Sequence, residues 1–312
     1  MKIILIGLLL IGIILLASGY YFYRYTIIRK PIAPIPDFPE EKYGKMSEMM
    51  RVGLQYFEAF PYELVTIQRK NGEKLYGYYF QSEHPTTKTV LAVHGYRSEG
   101  RREYASIVKS YIEDLQVNVL IVDDYAHGKS DGTQIGFGWF DRLDSIAWCE
   151  WLIAQKGENI QIALHGISMG AATILMAASE VELLPKQVKM AISDCGFTSM
   201  DEQTRHLGKG MNVPFMNIIL PVTSGICKLL AKYSFAAPAP IKLVEKVKVP
   251  ILFIHGTADS YVPTEMVHRL YNKATCEKKL LLIENARHAC SYYIDSAKYM
   301  NSISDYIEKY LI

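Results

Sequence analysis

Two kinds of hydrophobic pattern divide this chain. From Ile3 to Tyr23 no charged side chain interrupts a run rich in Ile, Leu and Gly, which ends in Tyr20, Tyr21, Phe22 and Tyr23. At about 1.5 Å per residue, such a run spans roughly the 30 Å hydrocarbon core of a bilayer. Aromatic residues at its end suit the headgroup level. From about residue 60 the pattern changes. Short apolar, β-branched runs at 64–69, 75–81, 89–93, 117–122, 160–164, 188–193, 249–254 and 279–283 read as strands. The first two read as a hairpin around Asn71-Gly72. Longer segments at 102–115, 139–155, 266–271 and 292–310 read as helices. Strands alternating with helices over short links predict an α/β fold, a mostly parallel sheet covered on both faces.

The stretch 198–248 breaks this rhythm. It is long, methionine-rich and proline-punctuated, and it reads as a helical insertion that caps a site or lies on the surface. The expected organisation is an N-terminal transmembrane anchor over 1–24, then a Pro-rich tether and a pre-domain helix over 25–59. One large domain follows over 60–312, with a cap at 198–248. Within the tether, Pro31-Ile32-Ala33-Pro34-Ile35-Pro36-Asp37-Phe38-Pro39 favours an extended chain.

An uncleaved anchor places the protein in the cell membrane, single-pass, with lipid against residues 3–23. Ala17-Ser18-Gly19 would serve as a cleavage site if the segment were a signal peptide instead. Arg24, Arg29 and Lys30 follow the run and Lys2 precedes it, which leaves the side of the membrane open. A formal net charge of +2, with no basic stripe interleaved with aromatics, gives nucleic-acid binding no support. The five cysteines are an odd number without paired spacing and do not outline a disulfide framework. Nothing in the sequence sets the oligomeric state.

Gly166-Ile167-Ser168-Met169-Gly170 lies between a strand-like and a helix-like run. A serine on a sharp strand-to-helix turn stands clear of the backbone, and the helix beyond it points N–H groups at any nearby anion. A serine hydroxyl needs a base, and the base needs an orienting carboxylate. His288, after the last strand, is the candidate base. Asp259, after the strand before it, is the candidate acid, and the chain order Ser, Asp, His suits such a sheet. Asp194 follows the preceding strand and is the rival acid. Candidate oxyanion donors are the backbone N–H groups of Met169 and of Tyr96, in the loop His94-Gly95-Tyr96. His-Gly recurs at 94–95, 127–128, 165–166 and 255–256. Without His-Glu-x-x-His or Cys-x-x-Cys spacing, these read as turn glycines with loop-bonding histidines, so no metal is expected. No cysteine sits on a comparable elbow.

Together with Asp123-Asp124-Tyr125-Ala126-His127-Gly128-Lys129-Ser130-Asp131-Gly132 and Ser193-Asp194-Cys195-Gly196, these motifs resemble those of the α/β-hydrolases. The likeness is to membrane-anchored members of Gram-positive bacteria, similar to the serine aminopeptidase-like group, and covers roughly residues 60–310. It implies an eight-stranded, mostly parallel sheet and Ser168-Asp259-His288 chemistry without a cofactor. Family members often carry Arg where Tyr125 stands, which puts that loop's hydrogen bonding in doubt. The expectation is a serine hydrolase of a small-molecule ester, thioester or amide, a carboxylesterase first. An aminopeptidase, an acyltransferase or a non-catalytic binding protein on the same fold are the alternatives.

Overall fold

The computed structural model describes residues 1–32 and 40–312, so most of the Pro-rich stretch, residues 33–39, lies outside the described residues. Eight strands form one sheet in the order β1-β2-β4-β3-β5-β6-β7-β8. They are β1 (Glu63–Gln68), β2 (Lys74–Phe80), β3 (Lys88–Val93), β4 (Asn118–Val122), β5 (Gln161–Ile167), β6 (Val188–Asp194), β7 (Ile251–Gly256) and β8 (Lys278–Ile283). β2 pairs antiparallel with β1 and β4, and every other pairing is parallel. The expected eight-stranded α/β architecture is the one observed.

Strand periodicity sorts the core into two layers, because alternate side chains point to opposite faces. Val90, Ala92, Val119, Ile121, Ile192 and Ile254 join one cluster. Their sequence neighbours Leu91, Val93, Leu120, Val122, Ala191 and Phe253 join the other. Helices α2 (Glu40–Ala59), α3 (Gly100–Lys109) and α10 (Ser296–Tyr310) cover the first face. Helices α4 (Asp141–Lys156), α5 (Met169–Ala178) and α8 (Thr264–Lys273) cover the second. A strand buried on both sides shows continuous apolar sequence, which is why these strands were readable.

Three helices depart from the expected bounds for local reasons. The helix expected over 102–115 becomes π-helical at Ser110–Asp114. That wider turn carries the fully buried Tyr111, whose hydroxyl lies 2.8 Å from His165 Nδ1. The helix expected from 139 begins at Asp141, whose carboxylate accepts the Gly138 N–H at 2.9 Å. The last helix divides into α9 (Ser291–Ile294) and α10 because Asp295 accepts the Lys298 N–H as an N-cap.

The N-terminal helix α1 runs over Lys2–Thr26 and is long and apolar enough to cross a membrane. Its end and the residues up to Arg29 meet the domain. Tyr23 and Ile27 are buried in a third cluster. The Arg29 N–H donates to Thr133 O, and Ile28 bridges to Gln134. The same cluster contains Phe197 and, from the insertion, Met200, Leu220, Tyr233 and Phe235; the insertion folds as α6 (Met200–Gly210) and α7 (Met216–Leu230). Hydrophobic residues after the membrane-length run thus find cover on the domain rather than in lipid.

Candidate active site

β3 and β5 are adjacent, and the chain leaves them toward opposite sides of the sheet, so their carboxyl ends form a topological switch point. β5 delivers Ser168 there, and α5 begins at the next residue. Ser168 has φ 57° and ψ −113°, a conformation that residues with a Cβ rarely adopt. The turn is held by the Ser168 N–H donating to Asp194 O at 2.8 Å and by Ala172 N–H donating to Ser168 O at 3.1 Å. The flanking glycines are required by close approach. A Cβ at Gly170 would overlap the Val93 carbonyl oxygen and stand 2.7 Å from His94 O, and one at Gly166 would overlap the Gly170 carbonyl.

His288 Nε2 lies 2.8 Å from Ser168 Oγ, and His288 Nδ1 lies 2.8 Å from Asp259 Oδ2. With Nδ1–H donating to the carboxylate, the Nε2 lone pair faces the serine hydroxyl. Asp259 Oδ1 accepts the N–H groups of Tyr261 at 2.9 Å and Val262 at 2.8 Å. His255 Nε2 lies 3.3 Å from Asp259 Oδ2 and 2.9 Å from Val262 O. Burial opposes the Asp259 charge, yet hydrogen bonds from His255, His288 and Val262 outweigh it and hold the carboxyl well below its ordinary range. The Tyr261 ring tilts over the His288 imidazole with centroids 4.7 Å apart.

Asp194, the rival acid, is not the group on His288 Nδ1. Its Oδ2 accepts the Tyr299 hydroxyl at 3.0 Å, and burial pushes its carboxyl up to about 6. The Tyr299 oxygen also lies 3.0 Å from His165 Nε2. Tyr111, His165, Tyr299 and Asp194 therefore form one buried chain of hydrogen bonds that ties α10 and the π-turn to the ends of β5 and β6.

The second loop comes from β3. A Cβ at Gly95 would stand 3.2 Å from Ser168 Cβ, so the amide of Tyr96 begins beside Ser168. No acceptor among the described residues takes the N–H of Tyr96 or of Met169. Both N–H groups are thus without a protein acceptor among the described residues, and both residues line one cavity with Ser168. Two histidines brace the loop. His94 Nδ1 donates to Gly95 O at 2.7 Å while Nε2 accepts the Asp124 N–H at 3.0 Å. His127 Nε2 accepts the Arg97 N–H at 3.1 Å. Burial, then the neighbouring His94, holds His127 well below the ordinary imidazole value, so it remains a neutral acceptor. Three of the four His-Gly histidines, His94, His127 and His255, thus bind loop backbone, whereas His165 bonds the Tyr111 and Tyr299 hydroxyls instead.

Ser168 and Met169 open into a cavity of about 190 Å³. Its walls include Phe22, Tyr25 and Thr26 of α1, Leu207 and Met211 of the insertion, and Phe137. The α1 contribution was not foreseen, since an aromatic cluster after an apolar run looks the same whether it meets headgroups or a pocket. Tyr96 shows the join. Its hydroxyl donates to Thr26 O at 2.7 Å, and its ring lies against Phe137 at 4.8 Å.

The loop with Tyr125 in place of the family's arginine is also resolved. Tyr125 donates to Glu73 at 2.8 Å, and the Arg69 guanidinium lies over its ring at 4.1 Å. The arginine that binds the loop carbonyls comes from elsewhere: Arg29 donates to Ser130 O at 2.6 Å and Gly128 O at 2.5 Å.

Cys195, Asp259 and His288 bring three donor atoms within 4.8 Å of one another. They fit a metal poorly. Asp259 and His288 already bond each other, and burial pushes the Cys195 thiol well above its ordinary value, away from a thiolate ligand.

The model of the prolyl oligopeptidase family matches residues 141–312. The chain is 30% identical over 240 residues to YqkD of Bacillus subtilis (strain 168), covering 75% of this chain and 76% of that one. Among solved structures, a Pyrococcus furiosus esterase superposes with TM-score 0.66 at 21% identity, covering 91% of this chain and 99% of that one. Est1E of Butyrivibrio proteoclasticus, solved with ferulic acid bound, gives TM-score 0.59 at 20% identity over 79% and 99% of the two chains. The sheet order, the serine at the switch point and these likenesses converge: the chain is an α/β-hydrolase of the prolyl oligopeptidase family.

Proposed function

We propose that the protein is a serine hydrolase that cleaves a carboxylic ester through an acyl-enzyme on Ser168. The observation that carries this reading is the unbroken relay of two 2.8 Å hydrogen bonds, Ser168 to His288 and His288 to Asp259. His288 Nε2 takes the proton of Ser168 Oγ as the oxygen attacks the substrate carbonyl. Asp259 holds the imidazole and stabilises the imidazolium that forms. The N–H groups of Tyr96 and Met169 bind the developing oxyanion. The C–O bond to the leaving alcohol breaks as His288 returns the proton to it. Water then attacks the acyl-enzyme with His288 again as base, and a carboxylic acid and free Ser168 result.

An ester is favoured over a peptide by the cavity walls. Among the described residues lining it there is no Asp or Glu to hold a substrate's free amine. The Pyrococcus furiosus neighbour is itself an esterase by name. Apolar walls and the membrane-length α1 also support a membrane-anchored enzyme with a small-molecule acyl substrate. A fluorophosphonate probe tests the nucleophile: it is expected to label the wild type and not Ser168→Ala, and labelling of the variant would overturn the assignment. p-Nitrophenyl esters are expected to turn over faster than aminoacyl amides. The family's name favours the peptidase reading, and the opposite ranking would move the protein to it.

A further inference from the structure

The acyl pocket draws one wall from a helix long enough to cross a bilayer. Phe22, Tyr25 and Thr26 of α1 line the cavity that opens on Ser168 together with Thr204 and Leu207 of α6 and Met211 just beyond it. Helix α7 lies along the same stretch of α1. A Cβ at Gly19 would stand 2.7 Å from Val222 and 3.3 Å from Ile226, so the absence of a side chain there lets the two helices close up. Gly19 is seven residues before the end of α1, a distance of about 10 Å along the axis. If α1 spans, α7 is therefore sunk to the depth at which interfacial helices lie.

The outer surface of the insertion agrees with that depth. Phe215 is 74% exposed, Leu229 70% and Ile218 51%, on a helix with no acidic residue in its first turn. Soluble surfaces rarely carry such a patch without a partner. Exposed Arg24, Lys209, Lys228 and Lys232 lie on the ends of these same helices, where anionic headgroups would meet them. The bilayer that takes α1 is thus a cover for the patch, and the pocket lies between the two.

We propose that the substrate is an acyl ester resident in the bilayer, whose chain enters sideways from the lipid between the C-terminal turns of α1 and helix α6, beside the closed contact of α1 with α7. This rests on the serine hydrolase reading. At the roughly 30 Å³ that a water-sized group occupies, the cavity of about 190 Å³ encloses roughly six such groups. A long chain then fills the pocket with its carbonyl end and leaves the remainder in lipid.

The test reconstitutes the full chain into vesicles of non-hydrolysable diether phospholipid containing a long-chain monoacylglycerol. Release of fatty acid and turnover of p-nitrophenyl acetate are measured on the same vesicles. Wild type is expected to cleave both. Leu207→Trp, which fills the passage, is expected to lose about tenfold more rate on the monoacylglycerol than on the acetate. Turnover of the acetate without fatty-acid release by the wild type overturns the lipid assignment and leaves the hydrolase reading standing. Equal losses on both esters in the variant overturn the route of entry. Should the variant fail to fold, the wild-type comparison decides alone. Absence of both activities, with no fluorophosphonate labelling, overturns the hydrolase reading and this inference together.

Discussion

Two buried carboxylates close to the elbow differ because of what surrounds them. Asp259 collects two backbone N–H groups and the His288 ring N–H, so it stays ionised as the imidazole charges. Asp259→Asn is expected to lower kcat by roughly 10⁴ with folding intact, through loss of the correct imidazole tautomer. Asp194→Asn is expected to retain most activity, and steady-state kinetics on a p-nitrophenyl ester distinguish the two. Among the described residues Asp194 takes a side-chain hydrogen bond from the Tyr299 hydroxyl alone, and burial raises it from 3.8 to about 6. A carboxyl raised on folding contributes stability that is present below its unfolded value and lost as pH rises through its folded value. The window is therefore about pH 4 to 6, with stability falling as pH rises. At neutral pH the buried charge costs about 3 kcal/mol. Urea denaturation at pH 4, 5, 6 and 7 is expected to show this slope in the wild type and a flatter profile in Asp194→Asn.

At the scale of elements, the strands and the elbow were legible from the sequence because local constraints govern them. β3 to β7 are buried on both faces and read as continuous apolar runs, and Ser168, Asp259 and His288 each follow a strand end. The elbow tolerates little else. Gly170→Ala places a methyl against the Val93 and His94 carbonyl oxygens, which belong to β3 and the loop after it and cannot withdraw without moving Tyr96. The expected cost is about 3 kcal/mol, seen as a lower urea midpoint at unchanged slope, together with loss of activity. Illegible features depend on contacts between distant elements. Nothing local in Tyr25 says that it lines a pocket with Leu207, and nothing local in Arg29 says that it binds the Gly128 and Ser130 carbonyls. The π-turn that carries Tyr111 to His165 likewise answers a partner 54 positions away.

For the whole molecule, the consequence is that α1 has two parts with different jobs. Its first part is exposed along nearly its whole length and touches the domain little. Its last turns and the residues after them complete the third core, with Tyr23 3% and Ile27 0% exposed and Arg29 bonded to the loop after β4. Burying two such side chains is worth about 1.5–3 kcal/mol each. A chain lacking residues 1–31 is therefore expected to unfold with a Tm lower by roughly 10 °C. Its insertion should loosen, because Leu220, Cys227 and Tyr233 lose the helix they pack on. A chain lacking only residues 2–15 removes hydrophobic length without touching Gly19, Tyr23 or Ile27. It is expected to keep its Tm within about 2 °C and to lose membrane attachment instead. Calorimetry on both truncations in detergent, with flotation on vesicles, separates anchoring from folding. Equal stability of the two truncations would show that the docked turns add nothing to the core, and the cavity wall they form would then need another support.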